Sequence, residues 1–344
     1  CKMPFTPNGH TNLPTDFADH RTVSFIGRPF PLAEAHEHFG RLRAWGFNCL
    51  RLLTTWEAVE HAGPGQYDEA YLDYFAKLCA LADEYGMYVF VDFHQDVWSR
   101  MTGGDGAPGW TFEAVGLDFT KFRAAGAAHV MQYKYDFARG GRQEENYGTM
   151  TWSQNYRYPA NAFMWTLFFA GRTFCPDFMV DGRNVQDYLQ DHYIGAMEAV
   201  AHRVKHLTNV IGFDSLNEPG SGYVGQSLAS GDQGKSESGL KHRRPGLDWT
   251  AIDGIAVARG LPRDLTVLKL DWDVKKVVPA GTETVNPDGI SIWLEGAKCP
   301  FEQAGAYRLK DGKIEVLNED FFRMVDGKPV RMEVDFMGPF FQRV

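Results

Sequence analysis

The sequence is short of cysteine, of long apolar runs and of basic charge, and each shortage removes a class of protein. Its 344 residues include 5 cysteines, an odd number with no Cys-x-x-Cys pair, which argues for free thiols in a reducing compartment. Cys49 and Cys79 fall inside apolar runs and are expected in the core. No run of about eighteen apolar residues occurs, so no membrane-spanning helix is expected. Asn-x-Ser/Thr glycosylation acceptors are absent, and the expected location is intracellular, either cytoplasmic or peripheral to internal membranes. With 35 Lys+Arg against 44 Asp+Glu the formal charge is -9, and no nucleic-acid partner is expected. Lys241-His-Arg-Arg244, the one compact basic cluster, reads as a solvated loop. A methionine start is also missing: the chain opens at Cys1, so the lack of a signal peptide decides little.

The sequence is rich in apolar residues, 44% hydrophobic and 14% aromatic, enough for one large domain or two smaller ones. Residues 1–30 read as a loop or arm. Leu32, Ala35, Phe39, Leu42 and Trp45 then recur at helical spacing behind Pro31, and Asn48 to Trp56 reads as a strand. Asp68 can cap a second helix with the stripe Tyr71, Leu72, Phe75, Leu78 and Leu81, and Met87 to His94 is the next strand. Helix, strand, helix, strand is the pattern of parallel α/β architecture.

After Asp96 the alternation breaks. Gly103-Gly-Asp-Gly106 reads as a flexible loop without the Lys-Ser/Thr of a phosphate loop. An aromatic tract from Tyr147 to Phe178 follows; most of its rings are expected in buried packing, with a minority free to form an apolar wall. Asp187 to Leu207 is a helix with Tyr188, Tyr193, Met197, Val200 and Val204 on its buried side. Ser221 to Gly239 is a Gly/Ser-rich loop or lid. Asp288-Gly289, Asp311-Gly312 and Asp326-Gly327 each signal a hairpin, so the last third reads as an antiparallel elaboration.

Chemistry gathers at the ends of strands. Asn209 to Pro219 reads as a parallel strand covered on both faces, stopped by Pro219 with Asn217 and Glu218 at its C-terminal lip. If it neighbours the two earlier strands, one face collects Glu218, Asn217, Arg51, His94 and Asp96. An acid with an amide, a guanidinium and an imidazole beside it suits glycoside hydrolysis, in which one carboxyl protonates the leaving oxygen and the other groups hold sugar hydroxyls.

Leu216-Asn-Glu-Pro219 after a strand, with Arg51 before it and Phe93-His94 between, resembles glycoside hydrolase family 5. Asp92-Phe-His-Gln-Asp96 is similar to its endoglycoceramidase-related branch. Ser291-Ile-Trp-Leu-Glu-Gly-Ala-Lys-Cys-Pro300, with the long insertion after the Asn-Glu strand, resembles the fungal members that cleave glucosylceramide or steryl glucosides. The resemblance implies a (β/α)8 barrel, a retaining β-glucosidase, and no metal or organic cofactor. It implies Glu218 as general acid/base, Asn217 at the sugar 2-hydroxyl, Arg51 orienting the nucleophile, and His94 and Asp96 on glucose hydroxyls. A looser match implies Trp152 and Asn155 lining that subsite. The implied partners are a glycolipid and a peripheral membrane contact; the aromatic tract, suited to a rigid apolar ring system, favours steryl β-glucoside over glucosylceramide.

A retaining enzyme needs a second carboxylate, and this sequence offers only poor candidates. Glu295 ends an apolar run inside the hairpin-rich region, and Asn318-Glu319 follows an Asp-Gly turn without the proline. The nucleophile is therefore expected outside this sequence. A full barrel takes about 250 residues, yet only three barrel strands are legible. The expectation is the N-terminal half of a barrel, with residues 1–220 holding its strands and an aromatic insertion at about 97–185, and with residues 221–344 as a β-rich insertion in the same domain. The first strand is then expected upstream of Cys1 and the last four downstream of Val344, in remaining polypeptide that completes the barrel. Two rivals stand beside this reading: a non-catalytic glycolipid-binding module, and a metal hydrolase using His94 and Asp96.

Overall fold

The structure, a computed structural model, describes residues 3–5, 17–130, 135–136, 142–143, 152–228 and 244–344. At its centre is a three-stranded sheet in the order β1 (Cys49–Thr54), β2 (Tyr88–Phe93), β3 (Val210–Asp214), every pair parallel. Helices α1 (Ala35–Ala44), α2 (Glu69–Glu84), α3 (Pro159–Phe174) and α4 (Val185–Val204) lie between and around the strands. Parallel neighbours joined through helices are the wall of a (β/α)8 barrel. The local signals act as read: Asp68 caps α2 by accepting from Tyr71 N, and Asn184 caps α4 by accepting from Gln186 N.

The two faces of the sheet differ. Leu52, Thr54, Val89, Val91 and Phe93 point to the helices and are buried. The opposite face, which carries Cys49, Arg51 and Tyr88, is open, so Cys49 is exposed although its run is apolar, while Cys79 on α2 is buried as expected. The strand β3 likewise lacks the expected cover on both faces: Ile211 is 59% and Phe213 42% exposed, because β3 is the sheet's edge.

The aromatic tract is mostly α3. Pro159 opens it, and Phe163, Trp165, Phe168, Phe169 and Phe174 are all buried; residues 159–171 are buried around the whole circumference, so the helix sits inside the fold. Trp165 meets Trp98 edge-on at 5.0 Å, and Phe163 stacks on Phe301 at 5.0 Å, which joins the barrel wall to the later residues in one core.

Residues 244–344 contain the expected antiparallel pieces. β4 (Arg263–Asp271) pairs with β5 (Lys276–Val285), a hairpin no Asp-Gly turn announces. β6 (Tyr307–Lys310) and β7 (Lys313–Val316) turn at Asp311-Gly312, whose φ angles of 51° and 73° suit the tight hairpin turn, and Asp326-Gly327 repeats it. Asp288-Gly289 does not turn a hairpin. It lies in a loop organised by Asn286, whose side chain donates to Ile290 O and Val257 O and accepts from Ile290 N. The Ser291–Leu294 segment is stitched on both sides, to Ala258 through Ile292 N and to Gly116 and Asp118 through Leu294 N and Ile292 O. Of the Ser221–Gly239 loop, residues 229–239 lie outside the described residues; Tyr223, Val224 and Leu228 are buried. No helix among the described residues is long and apolar enough to cross a membrane.

Gly103 to Gly106 corrects the flexible-loop expectation. Asp105 and Asp96 exchange backbone hydrogen bonds of 3.0 Å, and the loop packs back on the end of β2. A Cβ on Gly104 would overlap the Asp96 carbonyl oxygen and one on Gly103 the His129 carbonyl oxygen, so these glycines serve close backbone approach. Gly104→Ala should therefore cost about 3 kcal/mol of stability in urea unfolding, whereas Gly212→Ala, which meets nothing closer than 3.9 Å, should change it by less than about 1 kcal/mol. Equal effects would refute the close-approach account.

Candidate active site

Parallel register brings the three strand ends together. Leu53, Asp92 and Asp214 stand side by side, and Arg51 and Phe90 occupy the rank below on the same face. Asp92 is fully buried, an acid inside an otherwise apolar strand, and therefore needs partners. Arg51 Nη2 lies 3.1 Å from Asp92 Oδ2 and 3.5 Å from Asp214 Oδ2, and donates to Asn217 Oδ1 at 2.9 Å. His94 Nδ1 donates to Asp92 Oδ2 at 2.8 Å, which leaves Nε2 facing Asp96 Oδ2 at 3.4 Å. The Arg51 guanidinium thus ties Asp92 of β2 to Asp214 at the end of β3 and to the amide of Asn217 beyond it, and the His94 imidazole ties Asp92 to Asp96.

The turn after β3 is held from several sides. Asn217 Nδ2 donates to Gln95 O at 3.0 Å, Asn217 N to Phe93 O at 3.3 Å, and Tyr193 of α4 donates its hydroxyl to Ser215 O at 2.7 Å. Gln95 Nε2 donates to Asn217 O at 2.5 Å and to Glu218 O at 2.8 Å. Tyr156 donates its hydroxyl to Glu218 O at 2.6 Å. Burial pushes that phenol up to about 12, so it remains a neutral donor at ordinary pH. Held this way, Glu218 has φ 40°, left-handed and unfavourable for a residue with a Cβ, and its side chain is exposed.

His94, Asp96 and Asp105 offer donor atoms within 4.8 Å of one another. Such a trio can grip a small cation, or act as a row of donors and acceptors for hydroxyl groups. Asn155 is buried with both ends of its amide engaged: Nδ2 donates to His129 O at 3.0 Å and Oδ1 accepts from His129 N at 2.7 Å. It fastens the backbone at His129 against the Gly103 loop. Trp152 opens a 3-10 helix, Trp152–Arg157, and its side chain lies outside the described residues. Glu295 and Glu319 are both exposed on the 244–344 region, Glu295 just beyond the Leu117–Trp293 bridge.

The structure therefore joins Arg51, His94, Asp96, Asn217 and Glu218 at one rim. Asp92, Gln95, Tyr156 and Asp214 belong to the same network and were not singled out from sequence. Two of them had a signal: Asp92 and Asp214 are acids at the ends of apolar strands, where a charge needs a reason.

The chain has relatives among known proteins. Residues 13–230 match the family model of Cellulase (glycosyl hydrolase family 5). The chain is 37% identical over 350 residues to a glucosylceramidase of Rhizopus delemar, covering 99% of this chain and 49% of that protein. It is 37% identical over 353 residues to an ergosteryl-beta-glucosidase of Saccharomyces cerevisiae, covering 92% and 45%. Among solved structures, sterylglucosidase 1 of Cryptococcus neoformans superposes with a TM-score of 0.85 at 31% identity, covering 98% of this chain and 50% of that one. The chain spans about half the length of the curated relatives it matches.

The Asp92 cluster can be tested by stability alone. Asp92→Ala removes the buried acceptor that His94 and Arg51 share and should cost about 3 kcal/mol in urea unfolding; Asp92→Asn keeps an acceptor oxygen and should cost about 1–2 kcal/mol. A harmless Asp92→Ala would show that the cluster does not fasten the strands.

Proposed function

The chain belongs to glycosyl hydrolase family 5, and from that premise we propose that it carries the acid/base side of a retaining β-glucosidase acting on membrane-lipid glucosides. The observation that supports this most directly is the convergence of Glu218, Asn217, Arg51 and the Asp92–His94–Asp96 row at the C-terminal ends of three parallel strands. In barrels of this kind that end is where catalysis takes place.

In this reading Glu218 protonates the glycosidic oxygen as the aglycone leaves, then deprotonates the water that releases glucose. Asn217, whose amide is oriented by Arg51 and by Gln95 O, uses its second N–H on the sugar 2-hydroxyl. His94 and Asp96 hold further hydroxyls, and Arg51 orients the nucleophile while pairing with Asp92 and Asp214. Trp152 lines the subsite. Asn155 supports it through the backbone at His129. The nucleophile is a second Glu, about 5 Å from Glu218, supplied by polypeptide that completes the barrel on the open face of the sheet. The strands and the 221–344 insertion form one domain, and the protein meets membranes peripherally.

For the aglycone, steryl β-glucoside is the better fit and glucosylceramide the alternative. The sterol reading draws support from the superposition on the sterylglucosidase and from the ergosteryl-beta-glucosidase relative; the Rhizopus protein's name supports the ceramide.

Assays of the intact polypeptide with both lipids decide between them. Steryl glucoside should be cleaved faster, and Glu218→Gln should lower its hydrolysis by about 10³-fold while leaving binding intact. Equal hydrolysis by both proteins would remove Glu218 from the mechanism. Binding without hydrolysis in the unmutated protein would favour the glycolipid-binding module.

A further inference from the structure

We propose that Gln95 is the positioning residue for Glu218: its buried amide locks the left-handed backbone from which the acid/base carboxylate projects. This rests on the reading of Glu218 as acid/base. The amide orientation follows from the chemistry of its neighbours. Trp98 N, 2.8 Å from Gln95 Oε1, can only donate, so Oε1 must face it. Nε2 is then committed to the carbonyls of Asn217 and Glu218, which can only accept.

Each end of this amide meets a strained turn. Val97 and Trp98 have φ 47° and 74°, and Glu218 has φ 40°. Three non-glycine residues in the left-handed region, one of them β-branched, persist only where surrounding bonds over-determine them. Those bonds are present. Thr102 Oγ1 donates to Val97 O at 2.5 Å, Ala107 N donates to Trp98 O at 2.7 Å, and Gly106 comes so close to Gln95 that a Cβ there would press on the Gln95 side chain. Tyr156 completes the clamp, accepting from Gln95 Nε2 at 3.1 Å while donating to Glu218 O.

Among the described residues the Glu218 carboxylate has no hydrogen-bond partner, so its direction is set by its main chain. Gln95 reaches that main chain across 123 positions of sequence. Gln95→Glu keeps the shape but turns an oxygen toward two carbonyl oxygens. Gln95→Met keeps the volume without donor or acceptor.

The test separates aim from stability through the leaving group. A poor alkyl leaving group must be protonated by Glu218; 2,4-dinitrophenolate leaves without a proton. In the intact polypeptide, Gln95→Glu should lower kcat/KM for an alkyl β-glucoside about 100-fold and for the dinitrophenyl β-glucoside less than about 3-fold. Azide should raise dinitrophenyl glucoside turnover, because it attacks the anomeric carbon of the glycosyl-enzyme, breaks the ester C–O bond and yields the glycosyl azide with no proton to remove. Gln95→Met serves if the glutamate variant does not fold. Equal losses on both substrates without azide rescue would reduce Gln95 to a structural residue and overturn the proposal, as would unchanged activity. If the unmutated protein cleaves neither glucoside, the glucosidase reading falls, and a crystal structure of Gln95→Met still decides the positioning. Glu218 leaving the left-handed region supports it, and Glu218 keeping φ near 40° overturns it.

Discussion

The structure depends on one buried carboxylate. Asp92 lies in the middle strand, has no exposure to water, and among the described residues is stabilised by Arg51 of β1 and His94 just beyond its own strand. The requirement constrains the sheet. Side chains alternate along a strand, so a slip of one residue between β1 and β2 would move Arg51 to the helix face and leave Asp92 without its cation. Arg51 also reaches Asp214 and Asn217, so the same condition fixes β3. Register, strand order and the direction of the Asn217 amide are consequences of satisfying a single charge.

Around that charge the molecule combines an apolar platform with a strained rim. Trp98 packs edge-on against Trp56 at 6.2 Å and Trp165 at 5.0 Å, so the turn that follows the Asp92–Asp96 strand end rests on the aromatic helix α3. The rings of α3 act as that support, in the buried packing expected for most of the aromatic tract. Rigid backing allows Val97, Trp98 and Glu218 to keep backbone conformations that an exposed loop would relax.

What was legible in the sequence was what repeats locally. The spacing of Tyr71, Leu72, Phe75 and Leu78 gave the helix, Asp68 its start, and the apolar runs their strands, because period and cap are properties of neighbouring residues. Strand ends were legible too, which brought Arg51, His94, Asp96, Asn217 and Glu218 together. What failed depends on distant partners. Cys49 and Phe213 look like core residues until the sheet is seen to have an open face and an edge. The glycines at 103 to 106 read as flexibility when their purpose is contact with Asp96 and His129. Gln95 sits inside the most informative motif, yet its role needs Asn217 and Glu218 beside it, and no local pattern records that.

The open face bears on how a retaining mechanism would be assembled. On the proposed reading, the acid/base comes from an element already fixed within this chain, by Gln95, Tyr156 and Tyr193, without help from the other side of the barrel. The nucleophile must then be placed relative to it by closure of the sheet at the free edges of β1 and β3. Apolar side chains on that face and edge remain in water, Tyr88 at 53% and Ile211 at 59% exposed. Burying them on closure supplies a driving force of roughly 25 cal/mol per Å² of apolar surface. The burial that completes the barrel would also set the separation of the two carboxylates, and that separation decides between retention and inversion. Stability and stereochemistry would then rest on the same closure, with Arg51, at the edge strand and facing inward, as the residue that belongs to both.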